Sequence, residues 1–159
     1  MKRLWRVIVS LSALTLVSAV AASAAFAGGN GATTFTENDH GVTDTFVDVI
    51  PCTGAPATIT ITYNAVFHGT INKTGSWFTG TMTGDVSATT LGLNPITYTG
   101  HFATWFGDEN NLQNDVEHET FNIRLTGSDG STIRAHENAQ ATLNANGTIT
   151  VSFDKMVCG

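Results

Sequence analysis

The sequence predicts an all-β protein, specifically an eight-stranded antiparallel meander barrel, with a two-sheet β-sandwich as the alternative. Apolar and polar residues alternate along most of the chain after residue 30, which is typical of half-buried strands. Threonine and other β-branched or aromatic residues are frequent there, and they favour strands. Turn-forming residues separate the alternating segments, as expected for sequential strands that close into a barrel. The predicted strands are 33–38, 43–50, 57–71, 76–90, 95–106, 116–126, 131–143 and 148–156.

Three turns share one chemistry and set the register of the strands that they join. Each has glycine in its fourth position, which suits a type I turn followed by a left-handed residue and a bulge. The second turn then pairs Gly127 with Ser131, and the third pairs Asn144 with Thr148. Counting outward, apolar residues collect on one face and polar residues on the other, a separation that a slip of one residue would destroy. The turns are NKTGS (72–76), GSDGS (127–131) and NANGT (144–148).

Two His-Glu pairs flank the second turn, and the predicted register places the two members of each pair on opposite faces of the sheet. Successive residues of a strand point to opposite faces, so His118 and His136 fall on the polar face, whereas Glu119 and Glu137 fall on the core face. The histidines are separated by more than about 13 Å of strand, so one metal ion cannot bridge them. Because the sequence has no H-E-x-x-H or Cys-His spacing, we expect neither a metal nor a cofactor.

The two glutamates are the candidate site. As diagonal neighbours, their carboxylates approach to roughly 5–8 Å, and an acid on a core face must be ion-paired, hydrogen-bonded or neutral. In one interpretation, Lys155 faces Glu137 and pairs with it near the barrel mouth. In the other, the acids line the polar end of a small-molecule cavity with tyrosines nearby. The candidate ligand-binding residues are Glu119, Glu137, Tyr98, Tyr63 and Lys155.

The interior of an eight-stranded barrel either is filled by side chains or holds one small ligand. Our leading hypothesis is non-enzymatic binding of a small, partly apolar molecule inside the barrel. The first alternative is an extracellular interaction or structural protein with an inert core. The second is a cyclase- or isomerase-like enzyme that uses a carboxylate of raised pKa. No catalytic residue is assigned, because the sequence lacks a G-x-S-x-G motif, a glycine-rich phosphate loop and a cysteine nucleophile.

Two acidic segments, TENDHGVTD (36–44) and GDENNLQND (107–115), are interpreted as solvated loops. Both are rich in oxygen ligands, but neither fits the calcium-loop pattern D-x-[DN]-x-[DN]-G.

The N-terminus has the features of a secretory signal peptide. Three basic residues precede a long apolar run, and Ala-Phe-Ala at 25–27 forms a cleavage site of the A-x-A type. An uncleaved membrane anchor is the alternative, because the apolar run is nearly long enough to span a bilayer. We expect residues 1–27 to be removed after Ala27, leaving 28–159 as a single secreted domain without a membrane partner.

The net charge disfavours some classes of partner, and the two cysteines predict a disulfide. The secreted part keeps four basic residues against thirteen acidic ones, so its net charge of about −9 repels nucleic acid and anionic membranes. Cys52 and Cys158 lie at opposite ends of the main domain. Two cysteines in an exported chain usually form a disulfide, and this one would close a loop of about 100 residues.

The chain also carries the motifs TINKTGSWFTGTMTG, YTGHFATWFG, TGSDGSTIRAHE and NANGTITVSFDK, the last followed by Cys158. Together they resemble a family of small secreted bacterial proteins, mostly actinobacterial, over the segment from about Pro51 to Cys158. The resemblance implies a secreted β protein and no particular activity. At the level of fold alone, the predicted meander resembles lipocalin-like and allene-oxide-cyclase-like barrels, which implies ligand binding by analogy only.

Overall fold

A computed structural model describes residues 31–159, so the predicted signal peptide lies outside the described residues. Residues Ala32–Gly159 form one compact unit. The secondary structure of residues 31–159 consists of strands and turns without a helix, and the predicted all-β class is confirmed. The strands are β1 (Thr33–Val49), β2 (Pro56–Asn72), β3 (Gly75–Thr90), β4 (Thr97–Asn110), β5 (Asn114–Gly127), β6 (Thr132–Asn144) and β7 (Ile149–Cys158).

The strands form one antiparallel sheet in the order β1-β2-β3-β4-β5-β6-β7, which confirms the predicted meander. The prediction of eight strands is wrong, because the segments 33–38 and 43–50 belong to the single strand β1. An irregularity between Asp39 and Val42 shifts the pairing without ending the strand, as bulges do. In the described part of the chain, the hydrogen-bonded ladder ends at β1 and β7, so hydrogen bonds do not close the sheet.

The predicted register of the β5–β6 hairpin is confirmed. The backbone N–H of Gly127 donates to the carbonyl oxygen of Ser131 at 2.8 Å, and Phe121 faces Glu137 as expected. The β6–β7 turn is also closed as predicted, because the N–H of Asn144 donates to the carbonyl oxygen of Thr148 at 3.0 Å.

Beyond that turn, the predicted β6–β7 register is wrong by one residue. Leu143 pairs with Ile149 but Thr142 pairs with Val151, so Thr150 is an extra residue in β7. An extra residue moves every later side chain to the opposite face. Glu137 therefore faces Met156, not Lys155.

The buried side chains lie on one face of the sheet, which we call the inner face. They include Ile59, Tyr63, Val86, Tyr98, Phe102, Ile123, Leu125 and Ile133, each at most 7% exposed. Every second residue of each strand lies on this face, as the cross-strand pairs show. These are the odd-numbered residues of 33–39 and the even-numbered residues of 42–48 in β1, the odd-numbered residues of 57–71 in β2, 115–127 in β5 and 133–143 in β6, and the even-numbered residues of 76–90 in β3, 98–110 in β4 and 152–158 in β7. The remaining strand positions form the outer face.

The disulfide shows that the sheet curls. Five strand spacings separate β2 from β7, which is about 24 Å in a flat sheet. Cys52 in the β1–β2 turn and Cys158 at the end of β7 nevertheless form the predicted disulfide, with their Cα atoms 5.8 Å apart. The two sides of the sheet therefore meet at this end, and the inner face is the inside of the curl.

At two glycines in the middle of the sheet, the backbone of the neighbouring strand leaves no space for a side chain. A Cβ atom on Gly84 would run into the carbonyl oxygen of Thr62, and one on Gly100 would run into the carbonyl oxygen of Arg124. Glycine kinks of this kind allow a sheet to curve strongly.

Candidate functional site

The inner face collects the acidic residues of the chain. Ten of the thirteen carboxylates occupy inner-face positions, whereas none of the described lysines and arginines does. The ten are Glu37, Asp39, Asp44, Asp48, Asp108, Asp115, Glu117, Glu119, Glu137 and Asp154. Because charged residues normally face solvent, this arrangement distinguishes the inner face from an ordinary β-protein core.

Six of these acids lie toward the end of the sheet away from the disulfide, and two more, Glu137 and Asp154, lie beside them near the middle of β6 and β7. We call these eight residues the acidic end. It comprises Glu37, Asp39, Asp108, Asp115, Glu117, Glu119, Glu137 and Asp154. The opposite end of the inner face is filled by the apolar core. The inner face is therefore polarised from an apolar end, where the disulfide lies, to an acidic one.

Within the acidic end, Asp108 faces Glu117 directly across β4 and β5, and Asp115 is diagonal to Asp108. Burial raises the pKa of Asp108 to about 7, and the charge of Asp115 adds to the shift. Burial and Asp115 also raise the pKa of Glu117. One side-chain oxygen of Asp115, Oδ1, is buried without a hydrogen-bond donor among the described residues, so this cluster favours binding either a proton or another positive group.

The predicted pair of glutamates is confirmed as diagonal neighbours. Glu119 faces Ala139, and Glu137 faces Phe121. The hydroxyl of Thr104, which is 7% exposed, donates to Glu119 Oε1 at 3.1 Å. Thr104 thereby holds the Glu119 carboxylate in one place against the sheet.

Phenylalanine rings lie on the same face as these acids. The ring centroids are 5.8 to 6.4 Å apart, with tilted planes, which is a favourable range for aromatic pairs. The contacts are Phe35–Phe78, Phe67–Phe106 and Phe102–Phe121. The acidic end therefore combines negative charge with apolar walls.

The structure does not bring the remaining candidates to the glutamates. Tyr98 is buried and accepts a hydrogen bond from Ser131 Oγ at 3.3 Å, and it lies six residues along β4 from Thr104, about 20 Å. Tyr63 donates to Asp44 Oδ2 at 3.2 Å. Burial and the nearby charge of Asp44 raise the pKa of Tyr63 to about 12. Lys155 faces Asn138 on the outer face.

The sequence alone does not identify Asp108 and Asp115 as site residues, because the composition of the segment 107–115 predicts a solvated loop. In the structure β4 continues to Asn110 and β5 begins at Asn114, so most of the segment is strand. The even-numbered positions of Phe102, Phe106 and Asp108 are the signal in the sequence that β4 continues beyond residue 106. The segment 36–44 is likewise part of β1.

The histidines lie on the outer face, apart from one another. His118 packs against Trp105 with ring centroids 4.7 Å apart, and His136 Nδ1 is 2.7 Å from Asn122 Oδ1. His101 pairs with Asp85 at 2.5 Å. Among residues 31–159, no group of three or more histidine, cysteine or acidic side chains is arranged to hold a metal ion.

The outer face also has a groove, and neither Glu119 nor Glu137 lines it. Its volume is about 430 Å³, and its lining includes Thr60, Thr62, Asp85, Ser87, Thr99 and His101. The groove and the acidic end are therefore different features on opposite faces of the sheet.

No protein-family model, curated protein or solved structure matches this chain. A search for a membrane-crossing helix within residues 31–159 finds none with the required length and apolar character.

Proposed function

We propose that the curled sheet is a barrel, and that the acidic end of its interior binds a small, partly apolar molecule with a positive charge. The observation that carries this proposal is the placement of ten of the thirteen carboxylates on the inner face, which has no lysine or arginine among the described residues. On this proposal the protein is a binding protein, and Glu119 and Glu137 orient the ligand together with Asp108 and Glu117.

The charge of the ligand follows from the cost of holding Asp108, Asp115 and Glu117 close together. Carboxylates at facing positions repel each other, and partial burial increases that cost. A cation near Asp108 and Glu117 offsets both effects. The phenylalanine rings suit the apolar part of such a molecule and also attract a cation through their faces.

Three matched probes test the proposal by isothermal titration at pH 8 and low salt. The probes are 1-naphthylmethylammonium, neutral 1-naphthylmethanol and anionic 1-naphthylacetate. We expect the ammonium to bind most tightly and the acetate least. Binding should strengthen as the pH rises from 5 to 8, because the pKa of Asp108 near 7 keeps that carboxyl neutral at the lower pH.

Two matched double variants test whether the ammonium probe binds on the inner face. Asp108→Asn combined with Glu117→Gln should weaken binding of the ammonium about tenfold and leave the neutral probe unchanged. The control, Asp85→Asn combined with Glu109→Gln, removes two carboxylates from the outer face. Equal binding of all three probes, or equal losses in both double variants, would contradict the proposal.

A second candidate function is an extracellular interaction protein, and strand β7 is the observation that favours it. All ten residues of β7 are exposed, and the register shift turns Val151, Phe153 and Val157 to the outer face. An edge strand with exposed apolar side chains is suited to pairing with another chain. Phe153→Lys should then lower self-association or partner binding in sedimentation velocity, whereas Thr150→Lys should have a smaller effect.

A further inference from the structure

Arg124 of β5 and Arg134 of β6 face each other directly on the outer face, and both are exposed. The backbone N–H and carbonyl of Arg134 are both bonded to Gly159, at 3.1 and 3.0 Å. Arg124 and Arg134 therefore form a non-hydrogen-bonded pair of the antiparallel ladder. In pairs of this type the two facing side chains lie closest to each other. Like charges at such positions repel.

The chain itself does not neutralise this pair. Within residues 31–159, no carboxylate forms an ion pair with either guanidinium. The net negative charge of the chain repels polyanions as a whole, but ten of the thirteen acidic residues occupy the inner face, on the opposite side of the sheet from this pair. Two facing arginines without an acidic partner form a fork of donors whose geometry matches an oxyanion supplied from outside.

The groove on the outer face leads to the arginines. Asp85 faces His101 across β3 and β4, and His101 faces Arg124 across β4 and β5. The rest of the groove lining is largely hydroxyl groups, and the row beyond it continues with Thr126 and Thr132. Hydroxyl, carboxylate and imidazole groups are the polar donors and acceptors that recognise the hydroxyls of a sugar.

We propose that this outer face is a second binding site, which takes an acidic glycan. A carboxylate or sulfate group of the glycan binds the Arg124–Arg134 pair, and neighbouring sugar hydroxyls bind in the groove at Asp85 and His101. The groove centre on β3 and β4 and the arginine pair on β5 and β6 are separated by two strand spacings, roughly 10 Å. A short oligosaccharide segment reaches both. This site is independent of the ligand proposed for the acidic end.

Affinity electrophoresis of the full, disulfide-bonded chain tests the proposal with polygalacturonate, dextran sulfate and neutral dextran. We expect retardation by polygalacturonate, by dextran sulfate or by both, and none by neutral dextran; the two acidic polymers distinguish a carboxylate from a sulfate. Inorganic sulfate and galacturonate monomer are added as competitors. If either small anion displaces the polymer at equimolar charge, the site binds small anions only and the glycan proposal is overturned.

Two double variants remove the same charge from different places. Arg124→Gln with Arg134→Gln should weaken polymer binding at least tenfold, whereas Lys73→Gln with Lys155→Gln should weaken it less than twofold. Equal losses would indicate diffuse attraction and overturn the site. His101→Ala should weaken polymer binding without changing the arginine pair, and an unchanged affinity would overturn the proposal that the ligand is a glycan. The arginine variants should retain their melting temperature, because they relieve repulsion, so a loss of binding is not a loss of fold.

Discussion

Asp108 of β4 and Glu117 of β5 face each other directly across the sheet, with Asp115 diagonal to Asp108. Burial raises the pKa of Asp108 to about 7, with contributions from Asp115 and Glu117. The folded protein therefore holds a group of carboxylates in an arrangement that is unfavourable when all are ionised. A proton relieves it at low pH, and a bound cation would relieve it at high pH.

Asp108→Asn should stabilise the protein above pH 7. The wild-type Asp108 carboxyl binds its proton more tightly in the folded state than in the unfolded chain, so unfolding free energy falls as pH rises from about 4 to about 7 and then levels off. Because the group is partly exposed, we expect a gain of about 1 kcal/mol at pH 8 and little change at pH 4. Urea unfolding at pH 4, 6 and 8 measures the difference in unfolding free energy between the variant and the wild type.

Glu109→Gln is the matched control for that variant. Glu109 is the next residue of the same strand, but it is exposed on the outer face. Its replacement should leave the pH dependence of the unfolding free energy unchanged. A similar gain in both variants would show that net charge, and not the Asp108–Glu117 contact, determines the effect.

Tyr63 should ionise at unusually high pH. Its burial and the charge of Asp44 raise its pKa to about 12. In the Tyr98→Phe variant Tyr63 is the one remaining tyrosine, so absorbance near 295 nm follows it alone. Asp44→Asn should lower the midpoint, because it removes both a charge and the hydrogen-bond acceptor; Asp85→Asn, on the other face, should not. Circular dichroism at each pH establishes that the protein is folded, and a midpoint near 10 in the folded protein would contradict the expectation.

The register of two hairpins shows what the sequence determines and what it leaves open. The turn 127–131 fixes the β5–β6 pairing over the whole hairpin, because alternation and turn chemistry agree. The turn 144–148 fixes the first pair of β6–β7, but the extra residue Thr150 then reverses the faces. Apolar Val151 and Phe153 fit an inward pattern equally well in the sequence. The backbone pairing of Thr142 with Val151 determines the faces there, and the local alternation of the sequence does not reveal the extra residue.

The candidate site divides in the same way. The diagonal placement of Glu119 and Glu137 follows from one turn and one strand pair, so it could be predicted. The contribution of Asp108 depends on where β4 ends, and asparagine-rich sequence near residue 110 favours an early turn. Cross-strand pairing instead carries β4 to Asn110. Tertiary pairing overrides the local preference, and the acidic cluster emerges only when both strands are extended.

Gly100→Ala should destabilise the protein by roughly 1–3 kcal/mol, as overpacked sites do. An added Cβ would meet the carbonyl oxygen of Arg124, and a backbone obstacle cannot rotate away as a side chain can. Gly31→Ala is the control, because nothing lies within 4 Å of a Cβ there. Thermal unfolding of both variants provides the comparison. A neutral effect at Gly100 would contradict the view that its missing side chain allows the sheet to bend.

Removal of the disulfide should cause the largest loss of stability. Cys52 and Cys158 are separated by 106 residues, and closing a loop of that length stabilises by about 4–5 kcal/mol in the chain-entropy model. The double variant Cys52→Ser with Cys158→Ser should therefore unfold at much lower urea concentration than the oxidised wild type. Both cysteines are exposed, so reduced wild-type protein should match the double variant.

Because the disulfide also joins the two sides of the curl, its loss should weaken binding of the naphthyl ammonium probe even under conditions in which far-ultraviolet circular dichroism is unchanged. Unchanged stability and unchanged binding together would show that strand pairing alone maintains the curl.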